Sequence, residues 1–192
     1  MHIAEEEETI EVPWALFEGQ NLQDELIASW VKSSMTEKKV RALVKERVLP
    51  PKELIEWRPA ADEVIPTPNT GEVVVFASFF ERGLSLPAHP FLRGLLHFYG
   101  LELQHVTPNG LLQVACFITL CECFLGIEPH FALWQRLFTA KANPSQAKPA
   151  LVGGAGFQLR PGASKDYVTL PLRSSNKGWH SEWFYRSEEH TV

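Results

Sequence analysis

Few residues in this chain are spaced for chemistry. An enzyme that cuts or joins nucleic-acid strands with two divalent cations needs clustered carboxylates on a mixed α/β scaffold. The sequence holds three aspartates, Asp24, Asp62 and Asp166, falling on a first helix, a surface connector and a turn. An aspartic protease needs its carboxylate before Thr-Gly, and Asn69-Thr70-Gly71 offers an amide that cannot share a proton. Cys116, Cys121, Cys123 and His130 suggest zinc, but on one helix Cys121 and Cys123 point about 200° apart. Cys116 and Cys123 share a face yet lie ~10.5 Å apart along the axis, beyond disulfide reach. Buried free thiols acting as small apolar residues are expected instead. Gly153-Gly154-Ala155-Gly156 lacks the Lys and Ser/Thr of a phosphate loop and fails the dinucleotide spacing at its last position. His89, His97, His105 and His180 form no spaced ligand pair with a carboxylate and read as caps or hydrogen-bonded boundary residues. The expectation is a chain with no catalytic residue, no metal and no cofactor.

Two constellations could bind rather than catalyse. Lys38, Arg41 and Lys45 fall in one narrow sector of a short helix, opposite its apolar stripe. They form either a ridge for phosphate, as in a helix-turn-helix, or an ordinary solvated face. Near the C-terminus Trp179, Trp183 and Tyr185 share a strand parity, with Arg160, Arg173, Lys177 and Arg186 close in sequence. Rings and cations together could stack on and neutralise single-stranded nucleic acid, or the rings could cover the core. Glu122 stands apart as the one carboxylate on an otherwise apolar helix. Buried there it must be paired, and a structural ion pair with Arg82, Arg93 or Arg136 is expected.

The elements that must position these groups follow from composition and period. With 192 residues, 45% hydrophobic and 21% charged, the chain is long enough for one well-buried core and is not a disordered tail. A net charge of -5 argues against a whole-surface polyanion binder. Charge is nevertheless uneven: the first 31 residues hold eight acids and no Lys or Arg, whereas 32–60 hold eight bases and four acids. The stretch from Met1 to Glu8 has neither the basic start nor the apolar run of a secretory signal, so an intracellular protein is expected, nucleus or cytoplasm undetermined. Leu111 to Ile127 is interrupted by Gln113, Thr119 and Glu122 and is shorter than the ~20 residues of a membrane span, so a buried helix is expected and no membrane.

Leu22, Leu26 and Trp30 spell a first amphipathic helix. Thr36 can cap a second, with Val40, Leu43, Val44 and Val48 inward and Pro50-Pro51 as its stop. A proline-punctuated connector follows. A helix is expected from Glu72 to Arg82, although Val73-Val74-Val75 would also suit a strand. Proline openings and glycine stops predict helices at Phe91–Tyr99 and Asn109–Leu125, and Pro129 opens a third at His130–Ala140. In the middle one Gln113 and Glu122 project from opposite faces, leaving no polar side. It should therefore be central, with Leu112, Cys116, Phe117, Leu120 and Phe124 deeply buried. After Ala140 the period becomes two, predicting strands at Gly156–Arg160, Tyr167–Arg173 and Gly178–Arg186, with Asn176-Lys177-Gly178 turning between the last two.

A family pattern runs through these elements: Val73-Val74-Val75-Phe76, Arg82-Gly83, Leu86-Pro87, His89-Pro90-Phe91, Leu95-Leu96-His97-Phe98-Tyr99-Gly100, Pro108-Asn109, Cys121-Glu122, Phe124-Leu125-Gly126-Ile127, Pro129-His130-Phe131 and Lys177-Gly178-Trp179-His180. In these fragments the sequence, from roughly Trp30 to Arg186, resembles the gypsy-type transposon domain of plant genomes. The resemblance implies retrotransposon origin and implies no reaction, the family's transposase label reflecting genomic association. Members often continue into a low-complexity or coiled-coil tail, where this sequence stops at Val192.

The expected organisation is α+β, a predominantly helical core with a small C-terminal antiparallel sheet. An acidic N-terminus (1–20) precedes a helix-turn-helix-like pair (21–58), a connector (59–71), the helical core (72–141), the sheet (142–186) and a tail (187–192). The expected function is a non-enzymatic interaction or assembly module, with self-association or nucleic acid as possible partners. The alternative is a nucleic-acid-binding module using Lys38, Arg41 and Lys45, or Arg173, Lys177, Trp179 and Trp183.

Overall fold

The computed structural model describes residues 22–143, 150–163, 167–168 and 178–188. The acidic terminus, most of the strand expected at 167–173 and the turn residues Asn176 and Lys177 lie outside them. Helix α1 spans Leu22–Ser29 and α2 spans Glu37–Lys45. The expected cap is in place, the Thr36 hydroxyl accepting from Lys39 N at 3.4 Å while Val40 and Leu43 turn into the core. Short strand β1, Trp57–Arg58, precedes β2, Glu72–Phe76, which leads directly into α3, Ala77–Glu81. Helix α4, Pro90–Tyr99, ends at Gly100 in the left-handed conformation (φ 60°). Helix α5, Pro108–Thr119, starts at a Thr107 cap and continues as a π-helical turn, Leu120–Leu125. Helix α6, Phe131–Leu137, runs into β3, Phe138–Ala142. Strands β4, Ala155–Leu159, and β5, Trp183–Ser187, complete the order.

The α+β class holds, but the strands assemble differently from the sequence expectation. No single C-terminal sheet forms among the described residues. Instead β5 is the middle of a three-stranded antiparallel sheet, β1-β5-β2, with Val74 opposite Tyr185, and β4 pairs with β3, Phe138 opposite Leu159. Two expected helices are therefore shortened. Glu72–Phe76 is extended because its three valines lose little in a strand and gain a ladder with β5, more than a hundred residues away in sequence. The helix expected to reach Ala140 stops at Leu137 because Phe138–Ala142 pairs with β4.

One continuous core joins all of this, from Met35 and Val40 through Phe117 and Trp134 to Trp183, Phe184 and Tyr185. Three consecutive β5 rings are fully buried, so both faces of that strand are covered. The connector is tied to it by a polar cluster. Arg58 lies 3.7 Å from the centre of the Tyr185 ring, donates to Glu72 at 2.8 Å and pairs with Glu63, whose carboxylate also accepts from the Tyr185 hydroxyl. The hydrogen bond from Arg58 holds the Glu72 carboxyl below its usual range.

Helix α5 is central, yet only part of its expected core is inside. Phe117 is fully buried, Leu112, Cys116 and Leu120 are partly so, and Phe124 is 77% exposed. Phe124 follows Phe117 by one heptad and would share its face in a regular α-helix. The i→i+5 bonding of the π turn advances the chain by a smaller angle per residue, and the shared face is lost.

Phe117→Ala should accordingly cost roughly 3 to 5 kcal/mol in denaturant unfolding, whereas Phe124→Ala should stay within about 0.5 kcal/mol of the parent. Equal losses at the two positions would contradict the outward turn.

A second prediction concerns acid. His105 and His180 are mostly buried, and burial lowers both imidazoles from the ordinary 6.5. The His105 Nδ1 accepts from Glu102 N, while its Nε2 has no partner among the described residues. The fold thus favours the neutral rings, so their contribution is full above pH 6.5 and is lost as pH falls toward the lowered folded values. The urea midpoint should drop between pH 7.5 and 5.5, above the range where Glu72 titrates. A flat profile there would refute the assignment.

Candidate docking surface

The structure separates the two binding constellations. Lys38, Arg41 and Lys45 are all exposed on α2, facing away from its buried Val40 and Leu43. Arg41 is engaged, bonding Glu37 at 2.7 Å one turn earlier with its guanidinium carbon 6.0 Å from the Trp57 ring. The aromatic constellation is not a surface. Trp183 is fully buried and donates from Nε1 to Val31 O at 2.7 Å. Trp179 is 7% exposed and packs on Phe76 at 4.8 Å and on Phe79 at 5.7 Å. Stacking on a base needs a free ring face, and these faces are occupied by the core, so Trp179 and Trp183 are withdrawn as nucleic-acid contacts. Arg173 and Lys177 lie outside the described residues. Arg160 caps carbonyls of Gln135 and Phe138.

Glu122 is paired, but not with an arginine. Its side chain is 46% exposed and its Oε1 lies 2.9 Å from His89 Nε2, while His89 Nδ1 accepts from Phe91 N at the start of α4. The π turn carries Glu122 to the surface instead of leaving it in the core. The contact fastens that turn to the head of α4. Of the cysteines, Cys121 is buried and Cys116 partly so, whereas Cys123 is exposed, correcting the expectation of three buried thiols. Burial raises the thiols of Cys116 and Cys121, which keeps them protonated and poorly nucleophilic. Among the described residues no group of three or more His, Cys, Asp or Glu could hold a metal ion.

What the sequence reading missed is a concave apolar surface beside the π turn. A groove of about 560 Å³ is walled on one side by Leu112, Ala115, Cys116, Leu120 and Phe124 and on the other by Tyr167 and Val168, with Glu81, Arg82 and Gly83 closing one end. The closure is tight, because a Cβ added at Gly83 (φ +90°) would stand 2.8 Å from Ala115 Cβ. Burial pushes the Tyr167 hydroxyl up to about 12, so it is neutral across the physiological range. Phe124, Leu125, Ile127 and Val168 are 77%, 56%, 45% and 55% exposed around it. By length and composition Pro108–Leu125 could cross a membrane, yet its Val114 and Phe117 are packed in the core of this fold. A second cleft, of about 680 Å³, lies between α1, α4 and β2 and mixes apolar walls with Arg93, Glu102 and Arg186.

Residues 73–142 match a family model described as "putative gypsy type transposon". The matched segment runs from β2 to the end of β3, narrower than the 30–186 over which the sequence resembles that family, and it contains the whole helical wall of the groove. No curated protein and no solved structure matches the chain.

Since Glu122 is half exposed and its partner is an imidazole, Glu122→Gln should change unfolding stability by less than about 1 kcal/mol. A loss of roughly 3 to 5 kcal/mol, the cost of stranding a charge in a buried pair, would put the residue back in the core.

Proposed function

We propose that this chain, which carries a gypsy-type transposon-related domain over residues 73–142, works inside the cell as a non-enzymatic interaction module. Its docking surface is the groove at the end of the central helix. The observation that carries this reading is the exposure of Phe124, Leu125 and Ile127 beside an apolar concavity. Monomeric proteins rarely leave contiguous large apolar side chains in water beside a groove, and such patches mark partner sites. Aromatic residues are also the side chains that most often anchor interfaces. The non-enzymatic half of the reading is supported by the scattered aspartates, by the Cys116 and Cys121 thiols held protonated, and by a groove lined mostly by apolar side chains.

The test is binding of an environment-sensitive apolar dye such as ANS to the native protein. The parent should enhance its fluorescence, and Phe124→Ser/Leu125→Ser should remove most of that enhancement while leaving the denaturation midpoint within about 0.5 kcal/mol. Undiminished dye binding by the double variant would show that the surface is elsewhere.

Exposure of the whole ridge Lys38, Arg41, Lys45 supports a second reading, phosphate binding by α2. Changing all three to Gln should then flatten the salt dependence of duplex or single-strand binding by about two to three units, near one for each phosphate no longer neutralised. Failure of the parent to bind either nucleic acid at low salt would end this reading.

A further inference from the structure

We propose that the outer edge of β2 is a second docking site, independent of the groove at the end of α5, and that it takes an extended peptide segment of a partner protein as a fourth strand of the β1-β5-β2 sheet. The register decides which backbone groups are available. Glu188 N donates to Gly71 O and Ala77 N donates to Glu182 O, so the hydrogen-bonded pairs with β5 fall on the odd-numbered residues, Val73 and Val75 among them. Val74 therefore directs its N–H and C=O away from β5. Neither group has a partner among the described residues, and β2 ends the sheet order there. A strand edge of this kind is a template for another strand, joined through main-chain hydrogen bonds.

The cleft of about 680 Å³ leaves room for that strand. It is lined by both Val73 and Val74, which are half-buried. Successive side chains of a strand project to opposite faces, so a cleft that meets both runs along the edge between them. Helix α1 walls it with Leu26 and Trp30, whose ring stacks on Phe76 with centroids 5.9 Å apart, and α4 adds Leu92 and Leu96. Charges of both signs, Arg93 and Glu102 among them, share the lining, so recognition rests on the backbone ladder and on apolar contacts. With apolar side chains on both walls, the incoming strand carries β-branched residues on both of its faces. The walls also exclude a bulky occupant. A second copy would have to bring its own β2, recessed between the same helices, against an edge that is itself recessed. A single extended segment needs only the strand spacing of about 4.8 Å.

The experiment uses the full chain and a fluorescein-labelled peptide with five central Val and Ile residues between Ser-Lys ends. Amide hydrogen exchange read by NMR should show Val74 exchanging at least about ten-fold faster than Val73 and Val75 in the free protein, and saturating peptide should slow it at least about ten-fold. In fluorescence anisotropy, N-methylation of every second central amide leaves one bonding edge and should change affinity less than about three-fold. N-methylation of all five should weaken it at least about ten-fold. Val74→Pro removes the outward donor without touching a bond to β5 and should also weaken binding, with the unfolding midpoint measured alongside. A Val74 amide as slow as its neighbours in the free protein would overturn the proposal, because the edge would already be paired. So would no peptide binding, or a fully methylated peptide that binds as tightly as its parent. Phe124→Ser should leave peptide affinity unchanged, and a loss there would move the peptide to the groove at the end of α5. Protection of Val74 that appears only as the protein dimerises, followed by sedimentation velocity, would replace the peptide by a second copy.

Discussion

Strand β5 is the constraint on which this fold turns. Trp183, Phe184 and Tyr185 are consecutive, so their side chains alternate between the two faces of the sheet, and all three are fully buried. A strand covered on both faces cannot leave its polar edges in apolar surroundings, so each edge must find a partner. The partners come from far upstream, β2 along one edge and β1 along the other. Side chains complete the closure. Ser33 donates to the Trp183 carbonyl at 2.6 Å, and the indole of the same residue donates to Val31. The helix pair near the start of the chain is held in place by residues near its end.

That closure explains why the helical middle can present a surface. With β5 and β2 covering one side of the core and the β3–β4 pair packed against α5, the buried half of α5 is saturated by Phe91, Trp134 and Phe138 around Phe117. Beyond Thr119 the π turn keeps Cys121 in the core and sends Phe124 and Leu125 outward. Rings that would otherwise continue the core become a rim. The His89–Glu122 contact holds that turn against α4, so the apolar side chains are offered from a supported element rather than a frayed end.

Electrostatics follows the same division. Basic residues are gathered on the exposed face of α2, whereas the described lining of the groove holds one acid, Glu81, beside one base, Arg82. Inside, charge is admitted only where it is matched, as in Arg58 between Glu72, Glu63 and the Tyr185 ring. The buried imidazoles of His105 and His180 are tolerated as neutral rings.

Local chemistry was readable directly from the sequence. The Thr36 cap, the stop at Gly100, the proline starts of α4 and α5 and the span of β4 all stand where residue types placed them, because each depends on groups a few positions apart. The gypsy-type resemblance was legible too, over part of its expected span. Whatever depended on distant partners was not. Val73-Val74-Val75 suits helix or strand until β5 pairs with it, and Trp179 and Trp183 look alike as stacking platforms or core rings until their neighbours are known. Most telling is the run from Phe117 to Phe124. Its hydrophobicity is continuous, but a π turn changes the phase between the two rings, and only the packing around α5 determines which side of each residue meets protein and which meets water.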